Sequence, residues 1–173
     1  SKIDIILFNL VPFINYPYNI SSSIIIKNEL EFLIKNILKQ NIIKFLEKVY
    51  TSYTIIDVGV YNENSVDYPD ICYNLICKYN LMKKNNQQDI FCIVICGTGI
   101  GVSISCNKFK NIRCALCHNK YTAEMAKKHN NANVIAMGGR ILNIETAIDI
   151  INTFINTQYE GGRHQKRLDK IAL

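Results

Sequence analysis

The fold is decided by residues 90–110, IFCIVICGTGIGVSISCNKFK. Residues 90–95 are apolar throughout and include several β-branched side chains, which is typical of a strand covered on both faces in a parallel sheet. Gly97, Gly99 and Gly101 follow at alternate positions, and the pattern then becomes helical to about residues 108–110. A strand that leads into a helix through glycines leaves backbone N–H groups free at the helix start, where they favour an anion.

Cys96 ends this strand, directly before the glycine turn. Backbone N–H groups at a helix start favour the thiolate, so Cys96 is a candidate base or nucleophile. The alternative is an ordinary buried cysteine, because free cysteine is among the most buried residue types. The G-x-G-x-G spacing matches neither the dinucleotide-binding motif nor the Walker motif. The pattern alone therefore predicts only an anion near this helix start.

Strand-like and helix-like segments alternate on both sides of this stretch. Further strands are expected at residues 2–8, 54–58, 113–116 and 133–137. Helices are expected at residues 24–49, with Asn41 as a candidate break, and at 68–84, 119–129, 145–157 and 163–173. We therefore predict an α/β fold, a Rossmann-like three-layer α/β/α sandwich with a five-stranded parallel sheet. Ligands of such sheets bind beyond the carboxyl ends of the strands, where Cys96 lies.

The composition fits one ordinary globular domain of 173 residues, 49% apolar and 20% charged. No stretch is long and apolar enough to span a bilayer, and the N-terminal residues lack the pattern of a signal peptide. Cys114 and Cys117 straddle a predicted strand end, so we do not interpret them as a C-x-x-C metal pair. With seven cysteines in apolar segments, we expect reduced thiols, a cytoplasmic location, no membrane association, no metal and no cofactor.

A net charge of +6 raises the question of nucleic-acid binding. The lysines are scattered among Asn and Ile residues, a composition that resembles an AT-rich coding bias, so we expect a solvated surface and no nucleic-acid partner. Arg163 and Arg167 belong to the one dense basic cluster, RHQKR, and four residues apart they share one face of a helix. Two guanidinium groups on one face suit a phosphate monoester. The alternative is a solvated basic tail.

Three segments together resemble ribose-5-phosphate isomerase B, a family that also includes the subunits of galactose-6-phosphate isomerase. They are CGTGIGVSISCNKFKNIRCALCHNKYTAEMAKKHNNANVIAMGGR (96–140), VDYPD (66–70) and YEGGRHQKR (159–167). The resemblance extends from about Thr54 to the end of the chain. It implies a single sugar-phosphate isomerase domain over residues 1–173, with a phosphorylated sugar as its partner.

The resemblance also implies an activity and a set of site residues. The protein would interconvert ribose 5-phosphate and ribulose 5-phosphate through an enediolate, with Cys96 as base and Thr98 and nearby N–H groups holding the enediolate. His129 would open the sugar ring. The residues implied to bind substrate are Asp67, Tyr68, Gly97, Gly99, Ile100, Gly101, Asn130, Arg140, Arg163 and Arg167.

Some of these residues have a further implication. Asp67 and Pro69 also fit the start of a helix, and this role is compatible with substrate binding. By resemblance, the site is shared across the interface of a homodimer, and a tetramer is an alternative assembly. We expect His118 and His164 to be surface or interface residues.

The N-terminal region departs from the family pattern. The family places an Asp-His pair after its first strand, whereas residues 9–50 of this chain are divergent and extended. One alignment sets Asn9 and Leu10 at the pair and the other sets Ile20 and Ser21 there, and neither restores Asp or His. Two alternatives therefore remain open, namely an isomerase of a six-carbon phosphosugar and a phosphosugar-binding homologue that has lost catalysis.

Overall fold

The computed structural model describes residues 3–9, 37–59, 67–84 and 90–171. The strands β1 to β5 are Ile3–Asn9, Tyr53–Asp57, Ile90–Cys96, Cys114–Leu116 and Val134–Gly138. Helix α1 covers residues 37–49 of the described chain, and helices α2 to α6 are Tyr68–Lys84, Ile100–Cys106, Lys120–Lys128, Ile144–Asn156 and Arg163–Ile171. Residues 24–36 of the predicted first helix and residues 172–173 of the predicted last helix lie outside the described ranges.

The strands form one parallel sheet in the order β2-β1-β3-β5-β4. The predicted α/β class with a parallel sheet is therefore confirmed. β3 has a strand on either side and helices over both faces, so all seven of its residues are buried, which explains its unbroken apolar sequence. Because all strands run in one direction, the sheet has a carboxyl end, where the strands finish, and an amino end, where they begin.

Apolar side chains form a core on each face of the sheet. On one face, α1, α4 and α5 pack against Ile93, Ile95 and other residues of β3 and β5. On the other face, α2 and α3 pack against the alternate residues, including Cys92 and Val94. No helix within the described ranges combines the length and the apolar character needed to cross a membrane.

Two expectations about helix boundaries are wrong. Asn41 does not break α1, because its side-chain amide donates to the carbonyl oxygen of Ile37 at 2.8 Å and the helix is continuous around it. α3 ends at Cys106, before residues 108–110. Its end is determined by Asn107, whose side-chain amide donates to the carbonyl oxygens of Ser103 at 3.0 Å and Cys114 at 2.8 Å. These bonds join the helix end to β4.

An ion pair is buried between α1 and β2. The Nζ atom of Lys39 lies 3.0 Å from Oδ2 of Asp57, and the Lys39 side chain is only 1% exposed. Asp57 also accepts the backbone N–H of Gly59 at 2.9 Å. The pair holds α1 against the carboxyl end of β2. The sequence pattern did not predict this ion pair. Lysine is rarely buried unless it is paired, and the partner of Lys39 is distant in the chain.

Candidate active site

Cys96 lies at the carboxyl end of β3, and its thiol faces the start of α3. The sulfur accepts a hydrogen bond from the backbone N–H of Gly99, with an N–Sγ distance of 3.1 Å. Gly99 is the N-cap residue of α3, and Cys96 is buried with 8% of its surface exposed. A backbone N–H directed at sulfur stabilises negative charge there. The predicted proximity of the thiol to the helix start is therefore confirmed.

The turn requires glycine at position 99 for two reasons. Its φ angle is +80°, in the left-handed region that residues with a Cβ atom avoid. A Cβ atom added there would lie 2.5 Å from Cδ1 of Leu116 and 2.9 Å from the backbone carbon of Met137. The turn is thus packed tightly against β4 and β5, and this packing directs the N–H of Gly99 at the sulfur.

Arg140 and Tyr68 border this turn. The backbone N–H of Arg140 donates to the carbonyl oxygen of Gly97 at 3.0 Å, and its guanidinium lies so close that a Cβ atom on Gly97 would come within 2.9 Å of Nη1. The ring of Tyr68 lies against Gly101. Nine predicted residues thus lie at the carboxyl end of the sheet, and we name them the carboxyl-end group: Asp67, Tyr68, Cys96, Gly97, Thr98, Gly99, Ile100, Gly101 and Arg140.

The other four predicted residues lie at the amino end of the sheet. His129 is the C-cap of α4, the helix that crosses from the carboxyl end of β4 to the amino end of β5. The carbonyl oxygen of Asn130 accepts the Nε–H of Arg113, directly before β4, at 3.0 Å. The backbone N–H of Glu160 donates to the carbonyl oxygen of Lys128 at 3.1 Å and brings the start of α6 to the same place. These four residues form the amino-end group: His129, Asn130, Arg163 and Arg167.

The two groups are separated by the length of the sheet. β5 has five residues, which at about 3.3 Å per residue span roughly 15 Å. Cys96 and His129 therefore do not meet within one chain. A cavity of ≈ 770 Å³ adjoins the amino-end group, and its lining includes Arg113, Asn130 and Leu168 but not Cys96.

Two histidines stack beside this cavity region at the junction of α4 and α6. The rings of His129 and His164 are 4.2 Å apart between centroids and nearly parallel, with an angle of 7°. The Oε2 atom of Glu160 lies 3.8 Å from Nε2 of each ring. His164 is 7% exposed and His129 is 36% exposed.

The predicted surface position is wrong for His164, and the alternative, an interface position, stays a prediction. Its side chain is buried under the stacked ring of His129, whereas His118 is exposed as expected. Burial lowers the pKa of His164, and the neighbouring His129, Arg163 and Arg167 lower that pKa further. The neutral imidazole is thus the favoured form of His164.

One set of side chains among the described residues has the composition of a metal site. The ligating atoms of His129, Glu160 and His164 lie within 4.8 Å of one another. Three cations adjoin them, however, because Lys128 Nζ is 3.6 Å from Glu160 Oε1 and both arginines of the amino-end group act on His164. This positive surrounding favours an anion over a metal ion.

The N-terminal alignments are tested only in part. The register of β1 on β3 pairs Asn9 with Ile95, which brings the end of β1 beside the residue before Cys96. Leu10, Ile20 and Ser21 lie outside the described residues.

Glu160 is the residue near the site that the sequence patterns missed. It lies in the YEGGRHQKR segment, in which only the two arginines were predicted to bind substrate. Its relation to His129 depends on how α6 returns to the end of α4, and the sequence does not specify the direction of this return. The two glycines after it, both with positive φ, were the available indication of a sharp reversal there.

The chain is similar in sequence to two named sugar-phosphate isomerases. Ribose-5-phosphate isomerase B of Escherichia coli (strain K12) is 38% identical over 136 residues, which span 79% of this chain and 87% of the relative. D-erythrulose-4-phosphate isomerase of Pectobacterium atrosepticum is 37% identical over 135 residues, 78% of this chain and 85% of that protein.

Solved structures give the same relation. The crystal structure of ribose-5-phosphate isomerase B from Mycoplasma genitalium with bound ribulose 5-phosphate superposes with a TM-score of 0.76 and 30% identity, over 98% of this chain and 94% of that one. The family described as Ribose/Galactose Isomerase matches residues 34–171. The chain therefore belongs to the ribose/galactose isomerase family.

Proposed function

We propose that this protein is an aldose–ketose isomerase that interconverts D-ribose 5-phosphate and D-ribulose 5-phosphate, with Cys96 as the base. The observation that carries the proposal is the hydrogen bond from the Gly99 N–H to the Cys96 sulfur, in a chain that belongs to a family of sugar isomerases. The Escherichia coli and Mycoplasma genitalium relatives, both named ribose-5-phosphate isomerase B, support the choice of substrate.

The proposed reaction moves one proton between neighbouring carbons. The Cys96 thiolate takes the proton from C2 of the open-chain aldose, and the electrons of that C–H bond form the enediolate. The backbone N–H groups of the turn, with the Thr98 hydroxyl, stabilise the negative charge that develops on oxygen. Cys96 then returns the proton to C1, and the hydroxyl proton on O2 passes to O1, so that C2 carries the ketone and C1 the hydroxyl.

The remaining groups act on the ring and the phosphate. His129 opens the furanose ring, Asn130 contacts the sugar, and Arg163 and Arg167 bind the phosphate through their exposed guanidinium groups. The carboxyl-end group binds the reacting carbons, with Tyr68 and Arg140 beside the turn.

The two groups lie at opposite ends of the sheet, so we propose that each site combines the carboxyl-end group of one subunit with the amino-end group of its partner. The proposed assembly is a homodimer, with a tetramer of such dimers as the alternative. The protein is one domain, and its seven free cysteines support a reducing, cytosol-like compartment.

The test is turnover of ribose 5-phosphate by the wild type, Cys96→Ala and Cys92→Ala. Cys92 is a matched control, because it faces the same core from the same strand and burial raises the pKa of its thiol, which keeps that thiol protonated. We expect a loss of at least about a hundredfold for Cys96→Ala, as for removal of a general base, and near wild-type turnover for Cys92→Ala. Equal activity of wild type and Cys96→Ala would rule out Cys96 as the base.

A second phosphosugar is the alternative substrate, because a relative of similar identity is named for a four-carbon sugar phosphate. The same assay with a six-carbon and a four-carbon phosphosugar identifies the preferred chain length from kcat/KM. Binding of ribose 5-phosphate without turnover of any of the three sugars would instead favour the homologue that has lost catalysis.

A further inference from the structure

We propose that Glu160 is a positioning residue that holds the imidazole of His129 in the orientation and tautomer needed to open the sugar ring. The inference rests on the proposed function, since that function assigns ring opening to His129. It follows from the backbone around Glu160, the two distances to its carboxylate and the charges that surround it.

The backbone fixes where the Glu160 carboxylate lies. Its N–H donates to the carbonyl oxygen of Lys128 at 3.1 Å, which attaches the segment to the last turn of α4. Gly161 and Gly162 follow with φ angles of +66° and +57°, and the N–H of His164 donates to the carbonyl oxygen of Gly161 at 3.1 Å. This reversal places the carboxylate between the ends of α4 and α6.

The carboxylate faces two stacked imidazoles, of which only His129 is open to a ligand. Oε2 lies 3.8 Å from Nε2 of each ring, slightly beyond a direct hydrogen bond. His164 is buried, and its lowered pKa favours the neutral form, so it serves as a flat support for the ring of His129. His129 is 36% exposed. An Nε2–H directed at Glu160 leaves its Nδ1 atom for the sugar.

Lys128 lies beside one carboxylate oxygen of Glu160, and the other oxygen faces the imidazoles of His129 and His164. From α4, Lys128 lies 3.6 Å from Oε1 of Glu160 and is held by Glu124 at 2.9 Å. From α6, the positive charges of Arg163 and Arg167 lower the pKa of His164. Among the described residues, Glu160 is the carboxylate within 4 Å of the imidazoles. It therefore offsets the positive charge that His129 carries while it relays a proton.

In the proposed relay, one nitrogen atom of His129 both takes up and releases the proton. Nδ1 of His129 takes the proton from O1 of the furanose, and C1=O1 forms as the C1–O4 bond breaks. The same Nδ1–H then gives its proton to O4, which becomes a hydroxyl. His129 ends neutral, with Nε2–H still directed at Glu160, and no other reactant is consumed.

The first experiment observes His129 directly by nitrogen NMR of its imidazole in the full-length protein. Glu160→Ala should change His129 from mainly the Nε2-protonated tautomer to a mixture of both tautomers. Glu160→Gln keeps an acceptor and should restore much of the Nε2-protonated fraction. The matched control is Glu124→Ala, which removes the other carboxylate on Lys128 but does not face His129. An unchanged tautomer ratio in Glu160→Ala would overturn the inference.

The second experiment separates ring opening from proton transfer. Turnover of ribose 5-phosphate, which must open, should fall about tenfold in Glu160→Ala. Exchange of solvent deuterium into C1 of ribulose 5-phosphate, which has no ring to open, should stay within about twofold of wild type because Cys96 is untouched. Equal losses in both assays would contradict the assignment. A wild type inactive in both would refute the proposed function, while the tautomer ratio would still decide the role of Glu160.

Discussion

At the scale of single residues, the glycine turn combines a backbone requirement with a packing requirement. Gly99 has a positive φ and no room for a side chain. Gly161 also has a positive φ, but no atom lies within 4 Å of a Cβ atom built on it. The two positions therefore separate the cost of conformation from the cost of packing.

We expect Gly99→Ala to destabilise the protein by more than Gly161→Ala. The left-handed conformation alone costs roughly 1–2 kcal/mol with a side chain, and we expect Gly161→Ala to show only this loss. Gly99→Ala adds the contact with the backbone of Met137, for a total of about 3 kcal/mol or more. Urea denaturation of the two variants measures the difference. Equal losses would show that β4 and β5 do not constrain the turn.

His164 makes the stability of the folded protein depend on pH. Its pKa is lowered in the folded protein by burial and by nearby positive charges. The unfolded chain therefore binds this proton first, and stability contributed by the neutral form is lost as the pH falls below the ordinary histidine value of about 6.5.

We expect the wild type to lose more thermal stability than His164→Gln when the pH falls from 7.5 to 5.5. These two pH values lie on either side of the ordinary histidine pKa of about 6.5. Melting temperatures at the two pH values measure the loss. His118→Gln is the control, because His118 is exposed and should leave the wild-type loss unchanged. A loss in His164→Gln as large as in wild type would show that another group is responsible.

At the scale of elements, the buried pair of Lys39 and Asp57 joins α1 to the sheet. We expect Lys39→Met to lower the free energy of unfolding by about 3 kcal/mol, because it removes the cation 3.0 Å from a largely buried carboxylate. Asp57→Asn in the same chain should recover part of that loss, since it removes the charge. Guanidinium unfolding of the single and double variants gives the coupling energy. A double variant less stable than Lys39→Met would argue against the pairing.

Most helices and strands were predictable because their signals are local. The unbroken apolar run of β3 follows from cover on both faces. The start of α4 follows from Asn119, whose side chain accepts the N–H of Thr122 in a capping box. The end of α3 was not predictable, because Asn107 bonds to Cys114 on the next strand. The buried state of Lys39 likewise depends on a partner on another element.

At the scale of the whole molecule, the sequence predicted a set of candidate site residues and, by resemblance, a site shared between two subunits, but not which residues lie at which end of the sheet. Cys96 was expected beside the glycine turn, and the structure places it there, with Arg140 bonded to the same turn. His129 and Arg163 are at the other end of the sheet. A sequence motif gives the order of residues along the chain but not their positions in space. The two groups are separated because α4 crosses from the carboxyl end of the sheet to its amino end, and this direction follows only from the assembled sheet.

The proposed shared site predicts complementation between two inactive variants. Cys96→Ala and His129→Ala should each be inactive alone. After the subunits are exchanged in mild denaturant and reassembled, half of the dimers are mixed and carry one intact site, so about a quarter of wild-type activity should return.

The control mixes Cys96→Ala with Arg140→Ala, two changes in the carboxyl-end group. Every site in that mixture contains a defect, so no activity should return. Recovery in the control, or its absence in the first mixture, would contradict a site formed by two subunits.

The distance between the carboxyl-end and amino-end groups has a consequence for dilute solutions. A site assembled from two chains follows the law of mass action, so specific activity must fall once the protein is diluted below its dissociation constant. Each chain keeps its own two cores, so the circular dichroism spectrum should change much less than the rate. For such a catalyst, protein concentration itself sets the fraction of competent sites.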